Sequence, residues 1–523
     1  MSPLACARTL RLVLSLSLLA AAGCADATPE LGVEPDAEPD AEDDDAAQWW
    51  RPDGGGLDLP WFPRRDAAVA PATTPTVPTP PAGPTVPAAP EVPTPPTTPT
   101  PPATPPVASG DLIVAPTGVA TAPGTLEAPT TLTAALTRVA PGGRILLRGG
   151  VYASSVQITI ARENAGTAAA RKQLHAYPNE KPVLDFASQP YGREGNPRGL
   201  QIDGHFWHVK GLTVRGSADN GIYVAGNDNI VEQCITHGNR DTGLQLGRFR
   251  STAATIDEWP RNNLILDCES YDNYDVPPGS GENADGFAAK LTVGPGNVFR
   301  GCVAHHNIDD GWDLYTKTDT GPIGVVTIDR SVAHHNGTLT TGVTNAQGDR
   351  NGFKLGGEKI PVAHVVTRSV AYANGKNGFT WNSNPGAMQV SNNLAFDNVE
   401  GNYNFGTNSV RTAAVFTNNV SVWTRAGAKA DKAIGSDVAG SNVWAIAAGT
   451  ARSAAGKVAT AADFTAPLAT VSLRRVADGS LDLSVFQLAA GSDLVDAGEV
   501  PTVLPFAATY FVGKPDLGPF ETR

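Results

Sequence analysis

An all-β fold, a parallel β-helix, is what this sequence predicts, and three observations predict it. From about residue 111 one unit recurs: an apolar strand with a small or Cys residue, an Asn five positions later, then Asn/Asp-Gly and a second apolar strand. Its copies begin 22 to 38 residues apart, so matched coils carry insertions of variable length. The composition agrees: 55 glycines and 43 prolines in 523 residues, two methionines, and few long helix-forming runs.

The chain opens on an export signal, residues 1–23. Arg8 and Arg11 give a positive start, and Leu12 to Ala22 are apolar but too short to span a bilayer comfortably. The signal ends in Ala21-Ala22-Gly23-Cys24, similar to a lipobox, so Cys24 is the expected lipidation site. Residues 24–110 read as a disordered tether. Residues 25–66 hold thirteen acids against three bases, ten of the −13 net charge, and residues 71–106 hold sixteen prolines. Such a tract favours polyproline II and at ~3.1 Å per residue reaches roughly 110 Å. A body held so far from a membrane points to large external ligands, at an outer-membrane surface or outside the cell. The acidic balance argues against nucleic acid as a partner. Five cysteines with no CxxC exclude a disulfide scaffold or zinc ribbon.

The body is residues 111–523. Leu132 to Val139 has helical spacing, and a short amphipathic helix there would cover the open end of the first coil. In the coils, Leu212, Cys234, Cys268, Cys302, Ser331, Ser369 and Asn393 align in one column. Five positions on come Ser217, Asn239, Asn273, Asn307, Asn336, Asn374 and Asn398, expected to form a ladder inside a turn. Gly221, Gly243, Gly286, Gly311, Gly352, Gly378 and Gly401 align next. His237, Tyr271, His305, His334, Tyr372 and Phe396 align as an aromatic stack, so the pairs His305-His306 and His334-His335 read as structure rather than as a zinc site. The cysteine column reads as small buried residues, since three in a row cannot all pair. Asn418-Asn419 suggests a further coil, and a cap is expected over about residues 440–523.

Against outward positions of Thr, Ser, Ala and Asn, an acidic cluster stands out. Asp285 precedes Gly286 as Asp310 precedes Gly311, so both share a column on adjacent coils, with Asp309 and Asp313 beside them. Four carboxylates on coils ~4.8 Å apart repel unless a cation is shared, and all-oxygen ligation suits Ca2+. Isolated Asp-Gly turns on a solvated face explain Asp285 and Asp310 but not the other two. Lys354 lies two after Gly352, as Asp313 lies two after Gly311, which stacks it one rung away. That spacing permits either an ion pair with Asp313 or a catalytic base.

The segments NADGFAAKLTVGPGNVFRGC (283–302), DDGWDLY (309–315) and NGFKLGG (351–357) resemble polysaccharide lyase family 9, pectate lyases on right-handed parallel β-helices. The resemblance implies that Asp285, Asp309, Asp310 and Asp313 bind calcium and that Lys354 abstracts the proton. It spans roughly residues 111–523; the tether and the insertions at 247–261 and 338–349 depart from it. The implied reaction is β-elimination on an acidic polysaccharide, pectate or polygalacturonate, by a monomer that meets the membrane only through its lipid anchor. Arg248, Arg250, Lys290 and Lys317 are candidate contacts for substrate carboxylates. Two other readings stay open on the residues alone: a β-helical glycoside hydrolase using Asp309, Asp310 and Asp313, and a non-catalytic glycan-binding β-helix.

Overall fold

The structure, a computed structural model, describes residues 110–522 apart from 193–194, 278, 407–411, 434, 438–439, 447–449 and 454. The export signal, Cys24 and the tether lie outside the described residues.

Each coil contributes one short strand to each of three sheets of 12, 10 and 13 strands, wound as a right-handed parallel β-helix. One coil shows the rule. Asn297–Arg300 joins the first sheet, Val303–His305 the third and Trp312–Asp313 the second. Alternation within such short strands sends one residue into the core and the next outward. On the second sheet Phe287, Trp312, Phe353, Phe379 and Tyr403 all point inward, stacked with ring centres 4.7 to 5.1 Å apart. They are buried, and removing one such ring costs about 3–5 kcal/mol. The residues after them face out in register, Ala288 beside Asp313, Asp313 beside Lys354, and Lys354 beside Thr380.

The asparagine ladder forms as the spacing predicts. Asn239, Asn273, Asn307, Asn336 and Asn374 each donate their side-chain amide to the next asparagine's Oδ1, at 2.7–2.9 Å. The ladder fixes the turns that lead into the second-sheet strands from Leu244–Leu246 to Gly401–Phe405. Two shorter ladders, Asn229–Asn263–Asn297 and Asn393–Asn419–Asn442, serve other turns. One alignment needs correction. Phe379 pairs with Tyr403, which sets Gly378 against Asn402, and Gly401 falls beside Asn377. The turn keeps its length from Asn398, and Asn402 accepts the next ladder bond at 3.0 Å.

The helix Leu132–Arg138 is present, capped by Thr131, and buries Leu132, Ala135 and Leu136 over the first coil. The aromatic column stacks as expected, with ring centres 4.7–4.9 Å apart from His237 to Phe396. Cys234, Cys268 and Cys302 are buried and free. Strands of Asn418-Asn419's coil are present, Val415–Thr417 and Val420–Val422. The C-terminal region does two things where one cap was expected. Val443–Ile446, Thr450–Ser453 and Val458–Ala459 turn antiparallel and close the third sheet. The rest runs back along the flank, where Phe464, Leu468, Leu483 and Phe486 cover Val370, Leu394 and Phe396.

Candidate active site

The turn after Asn307 brings the acidic residues together. Asp285, Asp309 and Asp310 are all buried and offer carboxylate oxygens within 4.8 Å of one another. The backbone holds each one in place. Asp285 Oδ1 accepts the Asp310 amide at 3.3 Å, and its Oδ2 accepts the Thr242 hydroxyl at 3.0 Å. Asp309 Oδ1 accepts the amides of Asp349 and Arg350, at 2.6 and 3.3 Å. Asp310 Oδ1 accepts the Asn351 amide at 2.6 Å. Asp310 Oδ2 is buried with no hydrogen-bond donor, a costly state for a carboxylate unless something else supplies positive charge.

Asp313 stands apart from that trio. Its Oδ2 meets Lys290 Nζ at 3.4 Å and its Oδ1 accepts the Tyr315 amide at 2.9 Å. Lys290 also reaches Asp285 Oδ2 at 3.0 Å, which joins the two groups. Lys354 stacks beside Asp313 in the backbone register, yet its ammonium turns elsewhere. It pairs with Asp349 Oδ2 at 2.8 Å and approaches Asp310 Oδ2 at 3.6 Å, with the Tyr315 ring 5.2 Å away. The spacing permits an ion pair with Asp313; the close pair that forms is with Asp349, while Asp313 remains the strongest of the carboxylates attracting the ammonium.

Asp349 is the residue that sequence reasoning missed. It arrives at the end of the 338–349 insertion, and its Oδ1 also holds Lys376 at 3.0 Å. Insertions break the fixed offsets from which the other site residues are readable. The insertion itself folds over the site: Asn345 bonds Ser280 and Thr340 bonds Asp272. Of the candidate substrate contacts, Lys290 lies in the site. Arg250 lies over Phe249, and Lys317 lies 4.0 Å from Asp319.

The electrostatics follow from crowding out of water. Burial, opposed by Lys290 and reinforced by Asp313, lifts Asp285 to about 6. Burial, with the neighbouring carboxylates and against the pull of Lys354, holds Asp309 and Asp310 well above the usual carboxylate range. Asp349 goes the other way, held far down chiefly by Lys354. For Lys354 burial is the largest single influence and favours the neutral amine. The summed attraction of Asp313, Asp349, Asp310 and Asp309 outweighs it and raises the lysine well above its ordinary value. Five carboxylates (Asp285, Asp309, Asp310, Asp313, Asp349) against three ammonium groups (Lys290, Lys354, Lys376) leave a formal charge of −2. That deficit, with an orphaned carboxylate oxygen inside it, fits one hard divalent cation.

Fold and site together define a right-handed β-helix that carries a buried carboxylate–lysine cluster at its second sheet. The family model described as "Pel9A-like, right handed beta helix region" matches residues 112–419, and the chain belongs to that family. It is 53% identical over 362 residues to pectate lyase L of Paenibacillus polymyxa, covering 69% of this chain and 77% of the relative. Pectate lyase L of Dickeya dadantii is 34% identical over 393 residues, 73% of this chain and 83% of its own. The crystal structure of pectate lyase Pel9A superposes with a TM-score of 0.63 at 32% identity, over 79% of this chain and 96% of that one.

Proposed function

We propose that this polysaccharide lyase cleaves pectate by calcium-dependent β-elimination, with Lys354 as the base and Asp285, Asp309 and Asp310 as cation ligands. One observation carries the reading: a buried amine 3.6 Å from an orphaned oxygen of a three-carboxylate cluster. The family and its pectate lyase members support the same substrate. Calcium at the cluster would withdraw charge from a uronate carboxylate and make its C5 proton more acidic. Lys354 Nζ takes that proton; the electrons form the C4–C5 double bond, and the C4–O bond breaks. The leaving oxygen takes a proton from water. Asp349, fixed by Lys376, orients the amine. Lys290 holds Asp285 and Asp313 in place, at 3.0 and 3.4 Å, and opposes the upward pull of burial on Asp285. Asp313 flanks the cluster through Lys290 and completes the ligand set if that lysine yields to the cation. The hydrolase reading lacks any use for Lys354, and the binding-only reading lacks any use for a base.

The protein is proposed to act outside the cell as a monomer, anchored at the outer-membrane surface through Cys24 and the 24–110 tether. One assay tests the activity. Incubation with polygalacturonate and calcium should yield the ultraviolet absorbance of an unsaturated uronide, and chelator should stop it. New reducing ends without that absorbance would favour a hydrolase; no cleavage at all would leave a binding module.

A further inference from the structure

The resemblance to family 9 lyases implies four carboxylate ligands for calcium, and the structure gathers three of them. Asp285, Asp309 and Asp310 offer oxygens within 4.8 Å of one another, while Asp313 stands outside that group. What holds Asp313 is visible. Its Oδ1 accepts the Tyr315 amide at 2.9 Å, and its Oδ2 meets Lys290 Nζ at 3.4 Å. The same ammonium lies 3.0 Å from Asp285 Oδ2. One positive charge thus sits between a carboxylate of the cluster and the carboxylate expected to complete it.

The sequence puts that charge there. Lys290 follows the strand Phe287–Ala289, whose Phe287 and Ala289 belong to the core, so Ala288 and Lys290 share the outer face. Ala288 is the rung neighbour of Asp313. Lys290 is only 8% exposed, so carboxylates and not water must meet its charge. Burial works against the ammonium, but Asp285, Asp313 and then Asp241 attract it and together raise its pKa well above the ordinary value. Asp241 leads into the preceding strand of the same sheet, Leu244–Leu246. It gives the ammonium a second place to go that keeps a carboxylate beside it.

We propose that Lys290 is a built-in counter-ion that keeps Asp313 out of the calcium site until the cation binds, and so sets the site's affinity. To admit calcium, the ammonium leaves Asp285 and Asp313 for Asp241, and Asp313 joins the other three ligands. The inference rests on the calcium reading of the cluster and adds an exchange of one cation for another at the same oxygens. In the calcium-free protein the lysine offsets part of the carboxylate repulsion that would otherwise strain the fold.

Calorimetric titration of the full-length protein with calcium alone, at about pH 8.5 where protons compete least for Asp285, tests the exchange. Lys290→Met keeps the side chain's length without its charge, and Lys290→Gln removes the charge but keeps a hydrogen-bond donor. Both should bind calcium about 10-fold or more tightly than wild type and melt at a lower temperature in chelator. Asp313→Asn separates exchange from plain repulsion. Its weakening of calcium binding should be roughly tenfold larger beside Lys290→Met than in the otherwise wild-type chain, because only there is Asp313 released from the start. Plain repulsion makes the two losses equal. A wild type that binds no calcium takes down the reading of the site and this inference together. Calcium binding that neither Lys290 variant tightens, or equal losses from Asp313→Asn in both backgrounds, overturns the role of Lys290 and leaves the site standing.

Discussion

Replacing Asp310 with Asn should stabilise the metal-free protein while destroying its response to calcium. Asn keeps the acceptor for the Asn351 amide but removes one of three crowded charges. With an effective dielectric of about 20, a like charge at 4.8 Å, the widest separation within the cluster, costs about 3.5 kcal/mol. Asp285 and Asp309 together therefore oppose Asp310 by about 7 kcal/mol. Attraction to Lys354 at 3.6 Å returns about 5 kcal/mol on the same scale. The difference, about 2 kcal/mol, sets the order of magnitude: shorter separations and the charges of Asp349 and Asp313 add to it, and buried carboxyls that take up protons subtract from it. It corresponds to a melting point higher by a few degrees in chelator. Calcium should raise the wild-type melting point by mass action and barely move that of the variant, whose affinity falls about 100-fold or more with one ligand charge gone. Thermal melts in chelator and across a calcium titration read both effects. A variant that melts below wild type in chelator yet gains the same increment from calcium would refute the cation cluster.

Three further outcomes are expected. Because nearby carboxylates hold the proton on Lys354, activity should climb with pH through the alkaline range, and Asp349→Asn should move the rate–pH curve to lower pH; an unmoved curve would remove Asp349 from the base's surroundings. His364 is fully buried, accepts the Val326 amide at Nδ1, and has its pKa lowered by burial to about 3. A histidine neutral in the fold but protonated when unfolded stabilises above its unfolded value near 6.5, and that stability is lost as pH falls toward 3. His364 alone should thus cost about 2–3 kcal/mol by pH 4.5, seen as a falling melting temperature that His364→Gln flattens; an acid slope identical in the variant contradicts it. A chain beginning near Ser109 should fold and keep full specific activity on soluble substrate, and an insoluble or inactive product would show that the preceding tract takes part in the fold.

Much of this was readable from fixed offsets. Small-residue, asparagine and aromatic columns recur because every coil repeats one cross-section, so equal spacing means equal place. The same offsets put Asp285 with Asp310 and Asp313 with Lys354. Where the offset and the residue type disagreed, length won: the turn after Asn398 counts four residues to Asn402, so Gly401 is not the glycine of its coil. Register also fixes only the backbone. Lys354 and Asp313 are neighbours by rung, but a long side chain seeks the best charge in reach, and Asp349 enters from an insertion that no column aligns. The joining of Asp313 to Lys290, and the flank course of the C-terminal tail, depend likewise on side-chain reach and long-range packing.

The most direct test of the account is Lys354→Ala, with calcium binding and turnover measured on the same preparation. The side chain is buried beside the cluster but offers no oxygen to a cation, so calcium affinity should stay within a few-fold of wild type. Turnover on polygalacturonate should fall by roughly 10²–10⁴-fold, the usual loss when a general base is removed. Lys354→Arg should be nearly as inactive, because a guanidinium scarcely releases its proton. An alanine variant that binds calcium normally and keeps more than about a tenth of the wild-type rate would contradict the account, because the proton must then leave to another group.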